Sequence, residues 1–358
     1  MNRAFWNGRR VFVSGHTGFK GSWLCVWLQQ MGATVTGFGL APHTRPSLFI
    51  HAKVAEGMMS LTGDVTNLAA VAKALRSSKS EIVIHLAAQA LVRRSYAAPA
   101  ETYATNVLGT IGVLQAARAC SSVRAVVNVT SDKCYDLRAP AKRLRESDAI
   151  GGIDPYSNSK AWSEIVTAAY RAFSDGDRLP PRASSIAFAS ARAGNVIGGG
   201  DWSADRLIPD LISAYQRRRR AAVRLPRAVR PWQHVLDPLS GYLSLAQRLC
   251  ESGSAYAEAW NFGPPSSHER SVRWMADRCA MLWGSGASWK RGSTAGGREA
   301  CSLRLDSAKA KRRLAWTAMV ALPIALEWTV NWYRSFGSGA DARRLVEEDI
   351  ERFEAIVG

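Results

Sequence analysis

The chain has 358 residues, 47% of them hydrophobic, which is enough to bury the core of one large domain or of two fused ones. No apolar run reaches the roughly 18 residues of a membrane span, and "MNRAFWNGRRVFVSG" lacks a cleavable signal pattern, so the chain reads as cytoplasmic with no membrane partner. A balance of 47 basic to 29 acidic residues, a net charge of +18, points to anionic partners.

From the N-terminus, "RRVFVS" (9–14) reads as a strand and residues 19–31 as a helix. "ATVTGF" (33–38) is a second strand and "GMMSLTGD" (57–64) contains a short third. A helix at about 66–77 leads to a fourth strand, "EIVIHLA" (81–87). Residues 100–120 make a long amphipathic helix and "RAVVNVTS" (124–131) a fifth strand. A helix at about 155–173 precedes a further strand, "ASSIAFASARAGNV" (183–196). Continuous apolar strands alternating with helices predict a doubly wound parallel sheet, an α/β Rossmann domain. After "IGGGDW" the pattern loosens into Gly, Pro, Arg and Trp, which places a smaller C-terminal substrate-binding domain there. The expected division is 1–190 plus about 232–262 for the sheet domain, and about 191–231 plus 263–358 for the smaller one.

The densest basic run, "QRRRRAAVRLPRAVRPW" (216–232), has no aromatic interleaving and no nucleic-acid motif, so no nucleic acid is expected. It reads as a solvated helix end or as a source of one or two arginines for a diphosphate. Cys25, Cys120, Cys134, Cys250, Cys279 and Cys301 form no C-x-x-C and pair with no histidine at a metal-ligand spacing. Reduced thiols and no metal are expected.

"GHTGFKGSWL" (15–24) sits where the first strand turns into the first helix, with glycines at Gly15, Gly18 and Gly21. A tight turn there brings backbone close to a ligand, and the helix start aims free N–H groups at an anion. In this context the stretch predicts a dinucleotide pyrophosphate site, contributed by Gly15, Thr17, Gly18, Phe19 and Gly21. His16 and Lys20 either touch the pyrophosphate or are exposed residues of the helix start. "TVTGFGLAPH" ends without the acidic residue that would hold the ribose of NAD, so the second strand leaves NAD and NADP open.

"DPYSNSKAWSE" (154–164) puts Tyr156 and Lys160 at i and i+4, on one helix face. A phenol has a pKa of about 10, and a nearby ammonium favours the phenolate. Tyr156 then serves as a base for a sugar hydroxyl while Lys160 holds the nicotinamide ribose. The fifth strand ends in "VTSDKCY" (129–135), which places Ser131, Asp132 and Lys133 at the carboxyl edge of the sheet. Oxidising an alcohol needs no such carboxyl–amine pair, whereas removing a carbon-bound proton and expelling water does.

These strings, with "AAQALVRRSYAAPAETYATNVLGT", "ARAGNVIGGGDWSADRLIPD" and "RPWQHVLDPLSGYL", make the chain resemble the CDP-glucose 4,6-dehydratases of the extended short-chain dehydrogenase/reductase superfamily, over about residues 5–265. "TSDKCY" discriminates most, because related dTDP-glucose dehydratases carry Asp-Glu where this chain has Asp132-Lys133. The resemblance implies NAD as cofactor and CDP-glucose as substrate, in deoxysugar biosynthesis for lipopolysaccharide O-antigen. It implies that Tyr156 and Lys160 oxidise C4 with Ser131 in support, that Asp132 protonates the departing C6 hydroxyl, and that Lys133 stands where relatives place the C5 base. Asp64 and Val65 would lie by the adenine, and Leu86, Ala87 and Ala88 along the cofactor. Asn195, Arg206, Arg230 and His234 would contact the substrate. Relatives of this kind form dimers through the helices around 100–120 and 155–173. The rival readings are a nucleotide-sugar 4-epimerase, which has no need of the Asp–Lys pair, and a silent dinucleotide sensor, which has no need of Tyr156.

Overall fold

Arg10–Ser14 (β1) is a strand whose Val11, Phe12 and Val13 are all fully buried. A strand apolar on both faces needs helices above and below it. The computed structural model describes residues 2–137, 143–174, 186–284, 286–293 and 303–357, and it has that architecture. β1 leads into Phe19–Gln30 (α1), then Thr34–Gly39 (β2), Met59–Thr62 (β3), Leu68–Ser78 (α2) and Ile82–His85 (β4). Gly109–Ala119 (α3), Ala125–Val129 (β5), Pro155–Ser174 (α4) and Ala187–Ala193 (β6) follow. Leu207–Gln216 (α5), Leu236–Ser252 (α6), Ala259–Phe262 (β7), Val272–Trp283 (α7), Leu322–Gly337 (α8) and Ala342–Val357 (α9) complete the main elements.

The seven strands stand in the order β7-β6-β5-β4-β1-β2-β3, all parallel. Val11 is level with Val35 on one side and Ile82 on the other. The chain leaves β1 in one direction through β2 and β3 and resumes on its other side with β4. The crevice at the carboxyl ends of β1 and β4 is where such a sheet takes its ligand. Six of the strands coincide with the apolar runs of the sequence, apart from residues 183–185, which lie outside the described residues. The seventh, β7, is a four-residue edge strand that the sequence reading did not include.

Two departures from the sequence reading have physical causes. The long helix at 100–120 contains a π turn, Ala104–Leu108, between Pro99–Tyr103 and α3. That wider turn lodges Asn106, which donates to Gln89 O and Ser159 Oγ and accepts from Gln89 N. The C-terminal helix α9, grouped by sequence with the smaller domain, packs on α1: Phe353 meets Trp27 edge-on at 5.5 Å, and Trp27 Nε1 donates to Glu354 Oε1. The cause lies in α1, whose residues Gly21 to Leu28 are all buried, so that both of its sides need cover. The smaller side of the molecule is built from two-stranded pairs, among them 221–223 with 289–291 and 229–231 with 269–271. Arg217–Arg220 are exposed, as a solvated helix end would be. Cys25, Cys120, Cys134, Cys250 and Cys279 are free thiols, and Cys301 lies outside the described residues. Among the described residues no helix is long and apolar enough to cross a membrane.

Candidate active site

A cavity of about 570 Å³ runs along the crevice from the glycine turn to the end of β5 and on to the smaller domain. Gly15 closes the turn with φ +75°, and a Cβ there would lie 2.6 Å from Ala87 N. Gly18 is different: a Cβ there would meet only Gly15 O, at 3.4 Å, and otherwise face the cavity. Gly18 also begins α1 without a side-chain cap, so the first N–H groups of the helix are left for a ligand. Asp64, Val65, Leu86, Ala87 and Ala88 line the cavity wall beside the turn. A groove with glycine floor and uncapped helix start fits a dinucleotide pyrophosphate.

Ser131, Asp132, Lys133, Tyr156 and Lys160 all meet in the same cavity. Val129 closes β5, and its carbonyl accepts from Lys160 Nζ at 3.3 Å, which ties α4 to the strand end. Ser131 Oγ donates to Asp132 Oδ1 at 3.1 Å, accepts from Lys133 N and bonds the Tyr156 hydroxyl. Burial raises the Asp132 pKa, against the opposing charges of Lys133, Arg230 and Lys20. Its Oδ2 has no hydrogen-bond partner among the described residues. Burial pushes Tyr156 up to about 12, with Ser131 and Arg206 pulling the other way. Burial brings Lys160 down to about 8, and Glu164, one turn further along α4, opposes it.

Behind the cluster lies a buried ion pair, Glu164 with Arg192 of β6 at 2.8 Å. Thr130 and Ser190 donate to the same carboxylate. Arg192 also donates to the Tyr135 hydroxyl, which donates to Asn261. The network fixes both ends of the 131–135 turn, and so the placing of Asp132 and Lys133. Among the described residues no group of three or more His, Cys, Asp or Glu converges on a metal-sized site.

Residues 11–262 match the family model described as the NAD dependent epimerase/dehydratase family. The chain belongs to that family. It is 45% identical over 342 residues to a CDP-glucose 4,6-dehydratase of Salmonella typhimurium, covering 95% of each chain. Among solved structures it superposes on a dTDP-glucose 4,6-dehydratase of Bacillus anthracis in complex with NAD, with a TM-score of 0.75 and 19% identity over 94% of this chain and all of that one. It also superposes on a UDP-glucose 4-epimerase of Thermotoga maritima with UDP-glucose, with a TM-score of 0.76 and 19% identity over 91% of this chain and 99% of that one. At that identity the two structures speak for the fold that the family shares.

Within this family fold, most residues singled out by sequence line the cavity, including Thr17, Phe19, Gly21, Asn195, Arg206 and Arg230. Two histidines do not. His16 is buried beneath the turn, sharing a hydrogen bond with Ser60 Oγ and packing edge-on against Phe49, so its side chain is neither exposed nor on the cavity wall. Burial lowers its pKa to about 4. His234 is fully buried between Trp23 and Trp328, and its Nδ1 accepts from Leu236 N. It belongs to the core, not to the substrate surface. Lys20 lines the cavity, with its Nζ on the Tyr242 hydroxyl at 3.4 Å. Two features escaped the sequence reading. Tyr242 of α6 carries no signal inside an apolar helix. Arg93 and Arg224 converge on Asp205 at 2.9 and 2.8 Å, a tie between segments 131 residues apart that only the fold brings together.

Proposed function

We propose that the chain is a CDP-glucose 4,6-dehydratase with NAD as its cofactor, converting CDP-glucose to CDP-4-dehydro-6-deoxyglucose and water. The observation that carries this reading is the near full-length similarity to a dehydratase of that name. The buried Asp132 beside Ser131 and Tyr156 supports it chemically, since an epimerase has no need of a second acid. The glycine turn and the wall at Asp64 to Ala88 would hold the dinucleotide, with Lys160 at the nicotinamide ribose. Bound NAD supplies the hydride acceptor at C4 and returns the hydride at C6.

Tyr156 takes the O4 proton. A phenol raised by burial needs added positive charge to ionise, and Arg206 is a cation that acts on it in this structure. The ketone at C4 then acidifies C5–H, and water leaves across C5–C6. Asp132, whose carboxyl pKa burial raises, donates to the departing hydroxyl. Ser131 bonds both Tyr156 and Asp132, so the proton taken from O4 has a path back to the acid. Asn195, Arg206 and Arg230 line the same cavity and would meet the diphosphate. Leu108, Trp162 and Ile165 are exposed on neighbouring helices, and we assign this face to self-association. The product is a precursor for deoxysugar biosynthesis, with lipopolysaccharide O-antigen as the destination and the cytoplasm as the compartment.

The test is a side-by-side incubation of CDP-, dTDP-, UDP- and GDP-glucose with NAD⁺, read as the 4-ketosugar chromophore in alkali. CDP-glucose should be turned over far better than the others. A preference for dTDP-glucose would move the chain to the sister branch. Epimerised sugar without the chromophore would make it an epimerase.

A further inference from the structure

The stretch 201–206 lies between the short strand Val196–Ile197 and α5, and its residues Asp201, Ser203, Asp205 and Arg206 line the cavity. Its two ends are held by different means. At the start, Trp202 packs against Trp332, Tyr333 and Phe336, with ring centres 5.8, 6.0 and 5.5 Å away. Asp201 is buried beside it: the Tyr333 hydroxyl donates to its carbonyl at 2.5 Å, and its Oδ1 accepts from Ser203 N. That end is fixed to the core.

The other end is held by charge. Asp205 Oδ1 accepts from Arg93 at 2.9 Å and from Arg224 at 2.8 Å, and Arg224 also donates to the Asp205 carbonyl at 2.9 Å. Arg93 belongs to the helix Val92–Ala97 that follows β4, and Arg224 follows the strand Ala221–Val223 on the smaller side of the molecule. Both arginines line the cavity, so one carboxylate joins its sheet side to its smaller side. Asp205 has φ +62°, a left-handed conformation that Asp and Asn tolerate better than most residues. The side chains of Arg93, Asp205 and Arg224 are 42%, 36% and 27% exposed. Ion pairs so open to water are individually weak, so this end can part while the Trp202 end stays packed. The next residue is Arg206, half-buried in the cavity and paired with Asp201 Oδ2 at 3.5 Å. What holds Asp205 therefore also sets where the backbone of Arg206 lies.

We propose that Asp205 is a positioning residue: clasped by Arg93 and Arg224, it holds the strap 201–206 to both sides of the cavity and keeps Arg206 in place for the diphosphate of the substrate. The proposal rests on the reading above that Arg206 meets a diphosphate. In the free enzyme the clasp keeps the binding-competent position populated, and loosening it reduces apparent affinity by the fraction that remains competent. Once substrate is bound, the diphosphate itself holds Arg206, so turnover at saturation does not depend on the clasp.

The experiment compares wild type with Asp205→Asn, which keeps the shape and backbone tolerance but gives up the charge, and with Arg93→Met, Arg206→Met and the double variant Asp205→Asn/Arg206→Met. KM and kcat for CDP-glucose and the Kd of CDP by calorimetry are measured at saturating NAD⁺, with melting temperatures to show that each variant is folded. Asp205→Asn and Arg93→Met should each raise KM and the Kd of CDP about tenfold and change kcat by less than about twofold. Arg206→Met should weaken CDP by itself, and adding Asp205→Asn to it should cost nothing further, because the aspartate acts through the arginine. If the double variant is weaker again by the full factor of Asp205→Asn, the aspartate acts independently of Arg206 and the proposal fails. It fails too if Asp205→Asn binds CDP as wild type does. If Asp205→Asn tightens CDP while Arg93→Met loosens it, the carboxylate competes with the diphosphate for the arginines, which also overturns the proposal. CDP affinities that follow the expected pattern in an enzyme that makes no ketosugar would remove the dehydratase reading and leave the clasp standing. A wild type that binds no CDP overturns both.

Discussion

Tyr156 has one hydrogen-bonding partner that matters for its chemistry, Ser131, and that serine is independently held by Asp132 and by Lys133 N. Removing the phenol oxygen therefore leaves the rest of the cluster in place. Tyr156→Phe should lower kcat by about 10²–10⁴ and abolish the reduced-nicotinamide band, with an unchanged melting temperature. A band that still forms at the wild-type rate would take the O4 proton transfer away from Tyr156. At this scale the sequence was most informative where position along an element sets direction. Tyr156 and Lys160 share a helix face, and Ser131 to Lys133 follow a strand end, so backbone geometry alone delivers them to the crevice. It was least informative for side chains whose direction depends on distant partners. His16 turns down towards Ser60 on β3, and His234 meets both Trp23 and Trp328 edge-on. Lys20 reaches across to Tyr242, more than two hundred residues on.

The strand–turn–helix unit β1–α1 does two jobs, and its glycines divide them. Gly15 is structural: its φ of +75° and the 2.6 Å approach to Ala87 N leave no room for a side chain whatever binds there. Gly21 is more crowded still, with a Cβ placed 2.1 Å from Gly15 O. Gly18 faces the cavity and has space on the protein side. Gly18→Val should therefore fold with little change in melting temperature and lose NAD binding in titration calorimetry. Gly15→Val should lose stability outright, by at least the 1–3 kcal/mol that overpacking costs. Wild-type NAD affinity in Gly18→Val would sink the assignment of this turn to the cofactor. The turn and sheet were legible because apolar runs and glycines act locally. The π turn at Ala104–Leu108 was not, because it answers to Asn106 and its partners on other segments. Nor was α9, whose place on α1 is decided by Trp27 needing cover.

On the scale of the whole molecule, one face has apolar side chains without a covering layer. The segment 99–119 and α4 lie side by side, joined by Tyr103 to Asn158, Asn106 to Ser159 and Thr110 to Ser163. Their inward faces are buried, yet Leu108, Trp162 and Ile165 remain 55%, 49% and 46% exposed on the outside. Single exposed apolar residues are ordinary, but three on two adjoining helices form a patch of the kind that marks an interface. Two copies meeting through this face would pack helix pair on helix pair, and Trp162 would be the large central anchor. α4 also carries Tyr156 and Lys160, so the interface would stiffen the helix that holds the proposed catalytic pair. Trp162→Glu puts a charge where a dimer would bury it, at a cost of several kcal/mol to association and little to the solvated monomer. Sedimentation velocity should show wild type as a dimer or larger and the variant as a monomer. The monomer should keep its fold and bind CDP-glucose, with a reduced kcat because α4 has lost its support. A wild type that sediments as a monomer at micromolar concentration, or a variant that associates as wild type does, would rule this face out as the contact.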